Sequence, residues 1–239
     1  MTTPIEDKGH RATLPSVAML TLTVAIAASV AASGCAAPYT VRNVGRGHTA
    51  LHLSVGGPLV SNLGVPAPIP ATVIGAQYGI TDDWDISGSF HLLAAFYKTS
   101  GLDVGVTRRI LTQKKWIPEW TATLRLSQLT NFHEYRIYPE LESYASYLLG
   151  RRWLLYFGMS TLYDFFWDKG RHFRIQWGPA LGLDVRFAKR YAVGVAFRWI
   201  SPNLDREALA VDYVAPGHLG SIFVQLAFRV NIQGWKHGS

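Results

Sequence analysis

The stretch that decides the fold is residues 172–201, HFRIQWGPALGLDVRFAKRYAVGVAFRWIS. From Phe173 on, bulky apolar side chains recur at Ile175, Trp177, Leu181, Leu183, Val185 and Phe187. His172, Arg174, Gln176, Gly178, Ala180, Gly182, Asp184 and Arg186 fill the places between them. A period of two belongs to a strand, whose successive side chains point to opposite faces. After Ala188-Lys189-Arg190 the rule restarts, with Tyr191, Val193, Val195, Phe197 and Trp199 on one face and Ala192, Gly194, Ala196 and Arg198 on the other. The two runs predict a hairpin. Each is longer than the usual strand of about six residues, and each reaches the roughly 9–11 residues that cross a bilayer at a tilt. The large residues are expected to face lipid, and the small and charged ones a lumen.

The composition agrees. Of 239 residues, 49% are hydrophobic and 16% charged, yet one stretch alone is long enough for a membrane helix, so alternation has dispersed the apolar residues. The formal charge is +7, and because Glu6 and Asp7 cancel Lys8 and Arg11, the excess belongs to the rest of the chain. Its basic residues stand singly along strands or cluster at turns, whereas a nucleic-acid footprint needs a contiguous patch. No nucleic-acid partner is expected.

Residues 1–13 are polar with two basic residues, and 14–32 (LPSVAMLTLTVAIAASVAA) carry no charge. A basic start, an apolar run and small residues make a secretory signal; the length of the run also permits a retained membrane helix. Cys35 is the sole cysteine, so it can form no internal disulfide. The tetrad Ala32-Ser33-Gly34-Cys35 resembles the lipobox of bacterial lipoproteins, although Ala32 stands where that family usually has Leu. The resemblance implies cleavage before Cys35 and acylation of the new N-terminus, palmitate included. Ala36, in place of an Asp, implies sorting to the outer membrane. Ordinary signal-peptidase cleavage nearby is the alternative. The expected organisation is a signal peptide over 1–34, a lipidated tether over 35–47, a barrel over 48–232 and a tail over 233–239.

Strands are predicted near 48–56, 69–80, 83–96, 101–111, 117–130, 134–149, 152–166, 172–187, 191–200 and 220–232, an all-β antiparallel transmembrane barrel of about ten strands. The connections Thr81-Asp82-Asp83, Thr112 to Lys115, Gly150-Arg151-Arg152 and Ala188-Lys189-Arg190 are tight or basic. The segments 57–68 and 201–219 are long. Short turns on one rim are the periplasmic pattern, which puts both termini in the periplasm. Tyr78, Trp84, Trp120, Trp153 and Tyr191 are expected outward at the turn rim, and Phe96, Trp167, Phe173 and Trp199 at the other. In its strand-turn-strand grammar, well sampled by TVIGAQYGITDDWDISGSF, the chain resembles small outer-membrane β-barrel proteins. That likeness implies no particular activity.

Alternation assigns Arg109, Arg125, Arg136, Arg152, Arg174, Arg186, Arg198 and Arg229 to the lumen, with Asp85, Asp103, Glu140, Glu142, Asp164 and Asp184. Such groups are excluded from hydrocarbon, where Arg costs about 2–4 kcal/mol at the midplane. They either pair into a network that fills a narrow interior or line a constricted, porin-like path favouring anions. His52 and His91 are expected inward as hydrogen-bonded residues. Omptin-type proteases, also ten-stranded, carry Asp and His at the extracellular mouth. His133, Glu134, Asp164, Asp168 and His172 fall near that rim here, but no omptin motif matches, nor is a Ser-His pair of the lipid A deacylase kind identifiable. No metal-ligand spacing or phosphate loop is present. No cofactor is implied, and the expected role is structural or a narrow conduit rather than enzymatic. Two alternatives stand beside it, a rim enzyme and a lipid-tethered, lipocalin-like barrel with apolar residues inward. Residues 205–209 are expected to form a helical turn over the mouth.

Overall fold

Alternation along the chain is realised as side-chain parity around a closed wall. The computed structural model describes residues 41–60, 66–68, 71–92, 100–130, 135–164, 174–205, 214 and 216–234. They form β1 (Thr49–Val60), β2 (Ala67–Pro68), β3 (Ala71–Gly79), β4 (Trp84–His91), β5 (Ser100–Leu111) and β6 (Glu119–Thr130). These are followed by β7 (Tyr135–Leu149), β8 (Trp153–Asp164), β9 (Arg174–Arg186), β10 (Tyr191–Asp205) and β11 (Leu219–Asn231). Each strand pairs antiparallel with its neighbour, and β11 returns to pair with β1, Ala50 opposite Asn231 through Pro58 opposite Phe223. Among the described residues, the two-residue β2 pairs with the end of β1 alone. The remaining ten of the eleven strands close the barrel.

Closure abolishes the free edges that an open sheet would expose. It also gives the polypeptide an inside and an outside, and the residues divide as the parity predicts. Ile74, Ile86, Leu102, Val104, Val106, Leu124, Leu126, Phe157, Leu181, Phe197 and Leu226 point outward and are exposed. Gln77, Asp85, Asp103, Thr107, Thr121, Arg125, Glu140, Glu142, Asp184 and Arg229 point inward and are buried. A water-soluble binding barrel would have the reverse arrangement, so the lipocalin-like alternative is overturned. This outward apolar band around a polar interior is the form of a transmembrane barrel.

The four tight connections fall on one rim, as expected. The turn between β3 and β4 is fastened by the Thr81 hydroxyl, which accepts the amides of Asp83 (3.1 Å) and Trp84 (2.9 Å). The turn between β7 and β8 has Gly150 at φ 62°, a left-handed backbone that costs glycine little. Tyr78, Trp84, Trp120, Trp153 and Tyr191 lie exposed on the outer surface beside this rim. Arg108 is there too, its guanidinium 5.1 Å from the Trp84 ring centre, close enough to the boundary to reach headgroups.

Three details depart from expectation. β1 runs on to Val60 through Gly56-Gly57-Pro58, and β10 runs on to Asp205, with a bulge between Ile200 and Asp205 and Ser201 at φ 52°. Asp205, expected to open a helical turn, is therefore strand; 206–213 lie outside the described residues. Arg152, expected in the lumen, sits exposed in the turn because β8 begins only at Trp153.

Candidate functional site

The lumen holds the chain's chemistry, and it is built from pairings that register sets up. Arg125 on β6 stands opposite Glu140 on β7, with Glu142 next to it on the same face. Arg125 Nη1 donates to Glu140 Oε2 at 3.0 Å and Nη2 to Glu142 Oε2 at 2.7 Å. Arg198 on β10 reaches across the interior to the other oxygens of the same two carboxylates. It donates to Glu140 Oε1 at 3.0 Å, to Glu142 Oε1 at 2.8 Å, and to the Tyr144 hydroxyl at 3.1 Å. Two cations and two anions thus form a neutral ring, each guanidinium bridging both carboxylates. The ring ties β6 and β7 to β10 through the middle of the barrel.

A second pair lies nearby: Arg229 on β11 meets Asp184 on β9 at 2.5 Å, passing over β10 at Gly194. A Cβ there would collide with both the carboxylate and the guanidinium. The same device recurs where Tyr144 lies over Gly158, Tyr156 over Gly182 and His52 over Gly75. Inward glycines are recesses that seat the side chains of the adjoining strand, a means of curving and locking a barrel wall. Further round, Asp103 accepts from Ser89 Oγ and contacts His91 Nε2, each at 2.9 Å. Arg109 pairs with Asp83 at the turn rim, 2.8 Å away.

The segment before β1 also enters the lumen, which the sequence did not foretell. Expected as part of a free tether, residues 41–44 instead lie inside the turn end of the barrel, with Val41, Arg42 and Val44 all buried. Val44 N donates to Asp85 Oδ2 at 2.7 Å, and Gln77 Nε2 donates to the same oxygen at 2.7 Å. Thr121 Oγ1 donates to the Val41 carbonyl at 2.7 Å. Arg42 donates from Nε to Ser146 Oγ at 2.9 Å, from Nη2 to the Ser146 carbonyl at 3.1 Å and to Gln113, and lies 3.7 Å from Glu119. The Val41 side chain packs with Tyr144, Leu154, Tyr156 and Ala180. The segment's bonds run from Asp85 on β4 to Thr121 on β6 and Ser146 on β7, so it lies across the turn end of the lumen like a bar. It leaves through Gly45 (φ 87°) and Gly47 (φ 71°), where His48 N bonds the Gly45 carbonyl at 3.0 Å and the chain reverses into β1. Both glycines adopt backbone that other residues enter at a cost.

Several of the described inward residues are consequently closed off from solvent. A water-sized sphere reaches 1% of Arg125, 0% of Asp85 and 3% of Glu142 and Arg229. Of the expected lumen residues, Arg125, Glu140, Glu142, Arg198, Asp184 and Arg229 meet as described. Arg109 and Arg186 stand near the turn rim. Arg136 and Arg174 belong to β7 and β9, and their side chains, like that of Asp164, lie outside what is described. So do Cys35, Phe96, His133, Glu134, Trp167, Asp168, His172 and Phe173. Among the described residues, no group of three or more His, Cys, Asp or Glu is placed to hold a metal.

No family model matches this chain, and no curated protein matches it in sequence. Its backbone is similar to that of the NanC porin (8% identity, 80% of this chain and 100% of that one, TM-score 0.41). It is similar also to the outer membrane protein OprG of Pseudomonas aeruginosa (12%, 81% and 99%, 0.35). An outer membrane channel of Pseudomonas putida F1 is a third (11%, 83% and 100%, 0.41). At these values the likeness is one of general barrel architecture and says nothing of function.

Proposed function

We propose that this protein is a bacterial outer-membrane barrel lipoprotein whose lumen is sealed from within, so that it serves as a structural or anchoring element and neither conducts nor catalyses. The observation that carries this reading is the neutral ring of Arg125, Glu140, Glu142 and Arg198, in which both carboxylates and Arg125 are buried and the terminal nitrogens of both guanidiniums are held by carboxylate oxygens across the barrel. A conduit for anions needs cations that solvent can reach, and these are occupied by carboxylates. The bar of residues 41–44 closes the turn end independently. In this reading the turn rim is periplasmic and Cys35 carries lipid. Cys35 precedes Val41 by six residues, a span of up to about 20 Å. Val41 is bonded to Thr121, only two residues into β6 and so about 7 Å below the rim; the anchor is within reach of headgroups.

Conductance across planar bilayers tests the seal. The full chain is expected to give no unitary currents, and neither is a variant lacking 41–44, because the ring remains. Combining that deletion with Arg198→Ala is expected to open a path. Steady anion-selective currents from the unaltered protein would overturn the proposal. Incorporation of an alkyne fatty acid, abolished by Cys35→Ser, tests the anchor.

A further inference from the structure

The fold brings together two basic turns that are separated by a whole hairpin in sequence. Arg151 and Arg152, before β8, meet Arg186 at the end of β9 and Lys189 and Arg190 in the turn that follows. Together they line one concavity of about 590 Å³ at the turn rim. The backbone holds them there: Arg186 N donates to the Arg152 carbonyl at 2.8 Å, and Asn231 N to the Arg190 carbonyl at 2.8 Å. Among the described residues that line the cavity, none is acidic. Arg186 also faces Asp184 and Glu119, but Arg151, Arg152, Lys189 and Arg190 stand exposed around the hollow; they create a positive potential there, and a group carrying negative charge and several acceptor oxygens lowers their mutual repulsion.

A second feature indicates where that group comes from. Phe187, on the lining of the cavity, is also exposed on the outer surface. There it stacks on Tyr191 with ring centres 6.0 Å apart and planes at 16°, and Tyr191 stacks in turn on Phe228 at 6.0 Å and 17°. The basic hollow therefore opens beside an apolar aromatic face at the level where headgroups lie. Phosphate in the hollow and acyl chains along the rings is the match for a lipid rather than a free ion. We propose that this cavity is a binding site for the phosphate of an anionic phospholipid, holding one lipid at a fixed place on the wall. The inference rests on the membrane-spanning reading above.

The test uses the full chain in nanodiscs and micelles. Native mass spectrometry would count phosphatidylglycerol or cardiolipin retained against phosphatidylcholine. Each exposed cation near an anionic surface is worth about fivefold in binding. The Arg151→Gln/Arg152→Gln and Lys189→Gln/Arg190→Gln variants are thus each expected to lose about 25-fold in retention. Lys114→Gln/Lys115→Gln, which removes two charges from another turn of the same rim, should change it little. Equal retention of all lipids, equal loss in the Lys114/Lys115 control, or complete displacement by millimolar inorganic phosphate would overturn the proposal. Failure to insert into nanodiscs would overturn the membrane reading and this one with it, whereas insertion without lipid preference overturns this one alone.

Discussion

Replacing Arg125 with Met removes the most enclosed cation of the ring. In the native chain Arg125 and Arg198 balance Glu140 and Glu142, so the four side chains sum to zero; in the variant Arg198 alone faces two carboxylates. Both carboxylates are buried, so water does not take the vacated place, and losing one partner of such a pair costs about 3–5 kcal/mol. The double variant Arg125→Met/Glu140→Met leaves Arg198 with Glu142, still 2.8 Å apart and in balance. It is expected to regain about 2 kcal/mol relative to the single variant, a coupling that only interacting residues show. The other double, Arg125→Met/Arg198→Met, strands two anions and should be less stable than either single. Urea unfolding in detergent micelles, followed by tryptophan fluorescence and by heat-modifiable migration on gels, measures all four. A loss below about 1 kcal/mol for Arg125→Met, or a charge-balanced double no better than the single, would refute the reasoning.

Other perturbations probe other parts. Gly194→Val should destabilise the barrel by about 2–4 kcal/mol in the same assay, because its side chain would intrude on the Asp184–Arg229 pair and leave a buried charge displaced. Val104→Arg, in the outward band of β5, should cost about 2–4 kcal/mol in lipid vesicles and much less in water-rich rim positions such as Trp84→Arg. Gly45→Ala puts a Cβ on a left-handed backbone at about 1–2 kcal/mol. Protease cleavage within 36–46 should then become faster while the barrel core resists.

The strands were legible because each carries its own evidence: a run such as Leu102, Val104, Val106 against Asp103, Gly105, Thr107 declares both its conformation and its sidedness. Register then makes Arg125 and Glu140 neighbours, which is within reach of alternation. The partnership with Arg198 is not, since it depends on curvature bringing β10 across from β7. Val41-Arg42-Asn43-Val44 has no periodicity to read, and its partners come from Gln77, Asp85, Thr121 and Ser146 on four separate strands. β1 and β10 extend past the expected 56 and 200, through Pro58 and Pro202; proline is tolerated at strand ends where its missing N–H goes unneeded. The basic cavity is not legible in the sequence because its two turns become adjacent only when β8 and β9 pair.

The seam between β1 and β11 has a bearing on how the molecule is made. Every other junction in the wall joins strands consecutive along the chain or nearly so, and can zip as a local hairpin. This one must unite Ala50 with Asn231, closing a loop of roughly 180 residues at an entropic cost about 3 kcal/mol above that of a five-residue turn. That makes it the entropically costliest ladder in the wall, and without it the sheet has two naked margins and a greasy back.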